Sequence, residues 1–316
     1  MLQFEFDGHN SSEYGIIMTG ITDNDNLESR SLQLGEKNRY RARENHFGTV
    51  YDDNYSFTLS IMKNPCHNTN VTPELSSGII TYPEKCTPIL KNGIITFPLE
   101  YIPDVKLGVI QMNDTDYLSS SNIRIINGWL TSPQTPKLFK IIGGDYFYED
   151  IEFFATFTEI TTDHVVFPYE MNFTVTCDSP YGYTPEITHN ITSSSTLPKT
   201  YIINNTSDCH EDYIYPLIKI SPKSHGTITI QNVTDNNGTM KINALKDDDF
   251  YIDCQHLKIY DITNSIISFE DLGVKDIDNI YWLRLAYGEN ELRFTGDATF
   301  ELIYREPRKV GAFGWK

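Results

Sequence analysis

The sequence predicts a mainly β protein of two domains, built from antiparallel sandwiches or barrels with one helix. The chain has 316 residues, about twice the length of a typical domain. Its 20 Tyr and 17 Phe are residues that favour strands over helices. Hydrophobic residues recur with a period of two, and turn residues separate these segments at short intervals. That combination is typical of antiparallel β folds.

The first predicted strand lies at the N-terminus, where Leu2, Phe4 and Phe6 alternate with polar residues until Gly8 turns the chain. Such alternation describes a strand with one buried and one solvated face. Four later segments repeat the pattern, with apolar residues at Phe57, Leu59 and Ile61, at Ile228 and Ile230, at Met240 and Ile242, and at Phe300, Leu302 and Tyr304. A near-repeat, GIITYP at 78–83 and GIITFP at 93–98, predicts two arms of one hairpin-like excursion.

One segment has helical spacing instead. Apolar residues at 123, 126, 129 and 130 fall on one face of a helix. The serines from Ser119 to Ser121 offer an N-cap, and Pro133 ends the run. We therefore predict one amphipathic helix over about 119–131. Because its apolar face needs cover, Trp129 is expected in the core, packed on a sheet.

A domain boundary is predicted near residue 182. The strand-like run that ends at Cys177 gives way to a segment with Pro180, Gly182 and Pro185, and residues 186–198 are then mostly polar. This predicts a first domain over 1–182, which contains the helix, and a second over 183–306. The C-terminal tail, 307–316, is a candidate to complete the first domain.

Composition and charge exclude several classes of function. The chain carries 25 Lys and Arg against 43 Asp and Glu, a formal net charge of −18, which argues against nucleic-acid binding. No stretch approaches the ~20 apolar residues of a membrane helix. The N-terminus lacks the basic and apolar regions of a secretory signal. We therefore expect synthesis in a cytoplasm without ordinary export, and no insertion into a membrane.

The sequence contains none of the common catalytic or cofactor motifs GxSxG, HExxH, GxGxxG or the phosphate loop. Its five cysteines include no CxxC pair, so neither a zinc site nor a disulfide framework is predicted. The run Asp247–Asp249 lacks the spacing of a calcium loop and is interpreted as a solvated turn. No catalysis, no metal and no cofactor are expected.

A stripe of basic residues stands out in this acidic chain. Lys37, Arg39, Arg41 and Arg43, with Tyr40 among them, point to one side if the segment is extended. One interpretation is a solvated edge strand whose charges discourage unwanted pairing. The other is a docking arm that lies against an acidic neighbour, such as a second copy of the chain.

Several stretches, taken in order, resemble the distal tail protein of long-tailed phages. They are residues 4–16 (FEFDGHNSSEYGI), 126–131 (INGWLT), 173–183 (FTVTCDSPYGY), 287–292 (YGENEL) and 300–308 (FELIYREPR). Their order and spacing, rather than any one of them, carry the resemblance. The chain departs from the family's pattern at 64–115, where the connection before the helix is longer. It departs again at the arm, where the basic stripe and His46-Phe47-Gly48 replace a Gly-Arg turn.

The resemblance implies a β-sandwich-type first domain with one helix and an extended arm, which assembles into a hexameric ring at the tail tip. It implies a second domain similar to galectin and carbohydrate-binding-module sandwiches. Such a ring joins the tail tube protein to the tail-tip hub, fibres and receptor-binding proteins of the virion. Host cell-wall glycans are a further candidate partner, and Trp282, mainly expected in the second core, is a candidate sugar-stacking residue.

Two alternatives stay open at this point. One is a carbohydrate-binding adhesin module that forms no ring. The other is a glycan-degrading enzyme that uses a pair of carboxylates, since such a pair is defined by separation in space and not by spacing along the chain.

Overall fold

The computed structural model describes residues 3–23, 30–34, 46–51, 54–64, 74–76, 79–81, 89–91, 94–96, 104–106, 109–111, 118–142, 150–164, 168–244, 249–274 and 280–309. The described residues up to Gly182 form one compact unit, and Tyr183–Lys309 form a second. Both units are built mainly from antiparallel strands, which confirms the mainly β fold class. The α-helix of the described part is 12 residues long, and that part holds no helix able to cross a bilayer.

The elements of the first unit are β1 (Gln3–Phe6), β2 (His9–Asn10), a 3₁₀ helix (Ser11–Tyr14), β3 (Ile16–Asp23), β4 (Arg30–Leu34), β5 (His46–Tyr51), β6 (Ser56–Lys63), β7 (Glu74–Ser76), β8 (Ile79–Thr81), β9 (Ile89–Lys91), β10 (Ile94–Thr96), β11 (Asp104–Lys106), β12 (Val109–Gln111), α1 (Ser120–Thr131), β13 (Lys137–Ile142), β14 (Glu152–His164) and β15 (Pro168–Cys177). The main sheet has the order β2-β1-β13-β14-β15-β6-β3. Alternation gives this sheet one buried face. Its fully buried rings are Phe4, Phe6, Phe57, Phe139, Phe153 and Phe173.

Helix α1 begins where the serine cap predicts. The Ser119 hydroxyl accepts a hydrogen bond from the Asn122 backbone amide at 3.1 Å. The Ser119 backbone amide in turn donates to the side-chain oxygen of Asn122. The helix buries Ile126 and Leu130. Trp129 packs on the sheet core, as expected: its ring stacks on Tyr14 at 4.1 Å and on Phe4 at 5.5 Å between centroids.

The remaining strands of the first unit form separate hairpins. β4 pairs with β5, β7 with β8, β9 with β10 and β11 with β12. The interpretation of the two GIIT segments as arms of one hairpin is wrong. Each segment is one strand of its own short hairpin, since β8 pairs with β7 and β10 with β9. The similar sequences of β8 and β10 therefore predict that both form strands, but they do not predict that the two strands pair with each other.

The second unit contains two sheets that share one core. Its strands are β16 (Gly182–Tyr183, at the boundary), β17 (Ile187–Ser193), β18 (Lys199–Asn205), β19 (Leu217–Pro222), β20 (Gly226–Asn232), β21 (Gly238–Ala244), β22 (Phe250–Asp253), β23 (Lys258–Asp261), β24 (Gly288–Thr295), β25 (Ala298–Tyr304) and β26 (Pro307–Arg308). One sheet has the order β17-β25-β19-β22-β23 and the other β18-β24-β20-β21. Inward-facing isoleucines of both sheets, with Phe294 and Phe300, form the core. Of the tail 307–316, residues 310–316 lie outside the described residues.

Candidate interaction surfaces

The predicted docking stripe, with Lys37, Arg39, Tyr40, Arg41 and Arg43, lies outside the described residues. The strands that precede and follow it are described. β4 and β5 pair antiparallel, with Ser31 opposite Val50 and Leu32 opposite Thr49. The stripe therefore falls on the connection of a two-stranded hairpin.

This hairpin presents apolar side chains to solvent. Phe47 is 75% exposed, and Leu32 and Val50 are exposed as well. Among the described strands, β4 and β5 pair only with each other. A two-stranded hairpin has marginal stability alone, and exposed apolar side chains beside open strand edges are typical of surfaces that pair with another chain. The hairpin therefore has the chemistry of a protein contact.

In the second unit, Asp235 and Arg284 form a close charged pair. The Asp235 carboxylate accepts a hydrogen bond from Arg284 Nε at 2.6 Å, a second from Nη2 at 3.3 Å and a third from the Tyr281 hydroxyl at 2.8 Å. The Asp235 side chain is 8% exposed. The hydrogen bond from Arg284 is the main cause that lowers the pKa of Asp235, and it raises the pKa of Arg284 in turn. Both groups therefore stay ionised.

A glycine makes room for this arrangement. A Cβ atom at Gly238 would lie 2.2–2.5 Å from ring atoms of Tyr281, far inside van der Waals contact. Gly238 also closes the turn by donating its amide to the Asp235 carbonyl at 2.9 Å. The absence of a side chain at this position lets the Tyr281 ring approach the turn and its hydroxyl reach Asp235.

Arg284 lies within a group of exposed aromatic side chains, which we call the tyrosine–arginine patch. The patch consists of Tyr213, Tyr215 and Arg284, and a side-chain hydrogen bond joins Arg284 to Tyr215. The guanidinium carbon of Arg284 lies 4.2 Å from the centroid of the Tyr213 ring, a cation–π contact. Tyr213 and Tyr215 are each 40% exposed and Tyr287 is 48% exposed. A separate ring pair, His210 and Tyr287, lies 3.8 Å apart between centroids.

An isolated β-bridge at Ile214 explains why the two tyrosines emerge together. Ile214, between them, is buried and forms a bridge with Leu285, with amide-to-carbonyl hydrogen bonds of 3.0 and 2.8 Å. Tyr213 and Tyr215 therefore leave the backbone on the side opposite Ile214.

Three fully buried asparagines hold the backbone below the patch. The Asn232 side chain donates to the Arg284 carbonyl at 2.8 Å, and the Asn205 side chain donates to the Leu285 carbonyl at 3.3 Å. Asn290 accepts from the Ala286 amide at 2.9 Å and donates to the carbonyls of Ala286 at 2.7 Å and of Gly288 at 2.9 Å. Five backbone groups of 284–288 are thus fixed by buried side chains.

Sequence reasoning did not find the patch. The available signal was the alternation of Tyr213, Ile214 and Tyr215, a buried residue between two exposed rings. Trp282, the predicted sugar-stacking residue, is half-buried and packs against the second core, and its ring meets Phe269 edge-on at 6.2 Å. Its role in sugar binding stays a prediction.

Two of the described cysteines, Cys177 and Cys254, are buried thiols of low reactivity. Burial raises the pKa of the Cys177 thiol, and it raises the pKa of Cys254 to about 12, so both thiols are protonated at neutral pH. The described part of the chain contains no cluster of three His, Cys, Asp or Glu side chains that could hold a metal ion.

Comparison with known proteins gives two family matches. A family model described as a phage tail protein N-terminal domain matches residues 1–82 and 101–179, and one described as a phage tail C-terminal domain matches residues 181–304. No curated protein matches the chain.

Among solved structures, the chain is similar to the Dit protein (gp 19.1) of phage SPP1, which is described as a paradigm of the hub adsorption apparatus in phages that infect Gram-positive bacteria. The two are 11% identical, with a TM-score of 0.58 over 96% of this chain and 99% of that one. The likeness is one of fold.

Proposed function

Since the chain belongs to the family of phage tail proteins defined by these N-terminal and C-terminal domains, we propose that it is a distal tail protein. In this role it is a structural component of the virion, located at the tail tip and made in the cytoplasm of the bacterial host. Copies of the chain form a ring, with six copies as the expected number. The ring joins the tail tube protein to the tail-tip hub, its fibres and the receptor-binding proteins. No catalytic step is assigned to it.

The observation that carries the proposal is the match of both tail-domain models, in order, over 1–82, 101–179 and 181–304. A Dit-like fold along nearly the whole chain supports the tail tip rather than another part of the tail. We assign ring formation to the first domain, 1–182, with the tail 307–316 as a candidate addition. The second domain, 183–306, is assigned to an outward, galectin-like role.

A closed ring requires a head-to-tail interface in which one surface of each copy meets a different surface of the next. The hairpin of β4 and β5 supplies such a surface. Its exposed Phe47, Leu32 and Val50 are apolar anchors, and the basic stripe on its connection adds charge that complements an acidic chain. Burying exposed apolar side chains between copies is the usual source of interface stability.

Light scattering and electron microscopy of the purified chain test the proposal. We expect a species of about six times 36.3 kDa and rings with six-fold symmetry. Replacing Arg39, Arg41 and Arg43 with Glu should weaken ring formation or tail attachment while the circular dichroism spectrum stays the same, because the stripe is proposed to act in contacts between chains and not in the fold of one chain.

A matched control makes the same change in charge elsewhere. Lys199, Lys223 and Lys241 are exposed on the second unit, and replacing them with Glu should leave the rings intact. If the unmodified chain is strictly monomeric and is absent from virions, the proposal is wrong. A monomer that binds glycans would instead favour the adhesin module without a ring.

A further inference from the structure

We propose that β18 (Lys199–Asn205), an edge strand of the second unit, is the surface at which two copies of the chain join. The two strands run antiparallel, and Ile202 of one copy lies opposite Ile202 of the other. A strand that pairs with its own copy makes a two-fold contact, whereas neighbours in a ring meet through two different surfaces. This contact is therefore separate from the proposed ring interface and does not rest on it.

The four edge strands of the second unit, β17 and β23 of one sheet and β18 and β21 of the other, are not equally covered. The segment after β23 covers that strand, where the Ile267 amide donates to the Ile259 carbonyl at 2.9 Å. On β21 the Asn243 amide donates to the Leu272 carbonyl at 2.8 Å. In the described part of the chain, the backbone-to-backbone hydrogen bonds of β17 and β18 run only to their sheet neighbours, β25 and β24. These two strands therefore keep open edges, which are templates for pairing with another strand.

β18 lacks the features that protect an open edge. Natural edge strands are protected by charges, prolines or bulges, but the sequence KTYIINN has one charge, at Lys199, and no proline. Its register with β24 runs without a shift from Lys199 to Asn205. The strand is rich in Thr, Tyr and Ile, which favour β structure, and Ile202 at its centre is 58% exposed. β18 therefore has the properties of a segment that pairs with its like.

β17 is open as well, but it has no apolar anchor. Its exposed side chains are Thr188, Asn190 and Thr192, and all three are polar. Ile202 on β18 is apolar, and an apolar side chain stabilises a contact by the area that it removes from water. β18 is therefore the edge that gains more from being covered.

A second copy of the chain fits this edge. Antiparallel pairing about Ile202 places Lys199 opposite Asn205, Thr200 opposite Asn204 and Tyr201 opposite Ile203. No like charges face each other, and the two Ile202 side chains lie about 5 Å apart between Cβ atoms, within contact. Parallel pairing in the same register would instead place Lys199 beside Lys199, and like charges directly opposite are destabilising. The charge pattern therefore selects antiparallel pairing of identical strands.

The acidic character of the chain does not prevent this contact. On the same sheet, Glu289 and Glu291 belong to β24, one strand inside the edge, and Arg293 pairs with Glu291 at 3.7 Å. Across the contact the two β24 strands would lie about 14 Å apart, which is three strand spacings. Exposed charges at that separation are largely screened, because the Debye length is about 8 Å at physiological ionic strength.

Sedimentation velocity of the full chain over about a hundredfold range of concentration tests the proposal. One pair of seven-residue strands is smaller than the roughly 1,600 Å² interface of a stable complex, so we expect reversible pairing that increases with concentration. A single chain of 36.3 kDa should double in mass, and rings, where they form, should join in twos. Ile202→Lys should halve the molar mass in either case and raise the dissociation constant about tenfold or more, because two ammonium groups then face each other.

A mixing experiment tests the register. Ile202→Lys and Ile202→Glu should each fail to pair alone, since each variant places like charges opposite one another. The two variants should pair when they are mixed, because opposite charges then meet at position 202. If Ile202 acted only in the fold of one chain, mixing would restore nothing.

The matched control is Asn190→Lys, which places the same charge at the centre of β17, the other open edge, and should leave the mass unchanged. Thermal unfolding reports whether each variant folds. The proposal is overturned if the unmodified chain does not pair at any concentration, if Ile202→Lys keeps the paired mass, if the mixed variants stay apart, or if Asn190→Lys disrupts pairing equally. Absence of six-fold rings would contradict only the proposed ring, because pairing is then measured between monomer and dimer.

Discussion

The two units use aromatic and polar side chains in opposite ways. In the first unit Phe4, Phe139 and Phe153 are fully buried and lie against one another across the sheet. In the second unit the core is rich in isoleucine, tyrosines lie at the surface, and asparagines are buried below them. The first arrangement places the largest apolar side chains where they contribute most to stability. In the second arrangement, buried amides fix the position of an exposed surface segment. Burying an amide costs free energy unless it is hydrogen-bonded, as these are.

This contrast separates two physical roles. Buried rings stabilise a fold through the loss of water contact and through packing, and these effects are spread over many neighbours. Buried amides act through a few directional hydrogen bonds, so they determine where particular backbone atoms lie. We therefore expect core substitutions in the first unit to change stability most. Substitutions of the buried asparagines should change both stability and local geometry.

The largest effect is expected for Phe139→Ala. Phe139 is fully buried among Phe4, Phe57, Phe153 and Phe157, with ring centroids 5.6–6.4 Å away. Its removal leaves a cavity and should lower the free energy of unfolding by about 3–5 kcal/mol, measured by denaturant titration. Phe139→Leu is the matched control and should cost much less. A loss below about 1 kcal/mol for Ala would mean that the aromatic cluster is not the source of stability.

Asn290→Ala should have the next largest effect. It leaves three backbone groups of Ala286 and Gly288 without their partner, at an expected cost of about 2–3 kcal/mol. Hydrogen exchange of amides 284–288 should become faster. Asn190→Ala, at an exposed position of β17, should change neither. Lower stability with unaltered exchange at 284–288 would contradict the positioning role.

Ser119→Ala tests the start of the one α-helix described in the first unit. Because the Ser119 hydroxyl accepts the Asn122 amide at 3.1 Å, its loss should cost about 1 kcal/mol and speed hydrogen exchange in the first turn of α1. Ser120→Ala, one residue later and exposed, is the control and should have little effect. Equal effects of the two changes would show that the cap is not what stabilises the helix start.

The smallest effect is a dependence of stability on pH in the second unit. The two ring nitrogens of His189 lie 3.2 Å from the hydroxyls of Tyr201 and Tyr304. Burial lowers the pKa of His189 and raises the pKa of Tyr304 to about 12. Below a pH of about 6.5 the unfolded chain therefore binds a proton at His189 more readily than the folded chain does.

Stability should consequently decrease as the pH falls from 7 towards 5. His189→Gln should flatten this slope in denaturant titrations. The lowered pKa of Asp235 acts in the same direction but below its ordinary value of 3.8, so the two contributions fall in different pH ranges. An unchanged slope in the His189 variant would contradict the assignment.

Much of the fold followed from local patterns. Period-two alternation marked strands such as β6 and β25, and helical spacing with a serine cap marked α1, whose half-buried Trp129 packs against the core. Pairing was predicted less well, as the two GIIT segments show, because strands of similar sequence fit many partners equally. The tyrosine–arginine patch was missed for a related reason. Asp235 and Arg284 are 49 positions apart, and Asn205 and Leu285 are 80 apart.

By itself, the sequence determined where strands and the helix form and that the chain is acidic. It also showed that several stretches, in their order along the chain, resemble a phage tail protein. The positions of strands and helix depend on neighbouring residues, because the backbone period decides which side chains share a face. Only the tertiary structure decided that three distant asparagines fix one surface segment and that tyrosines and an arginine meet above it. Such meetings depend on the order of strands in the sheets, which a local period does not encode.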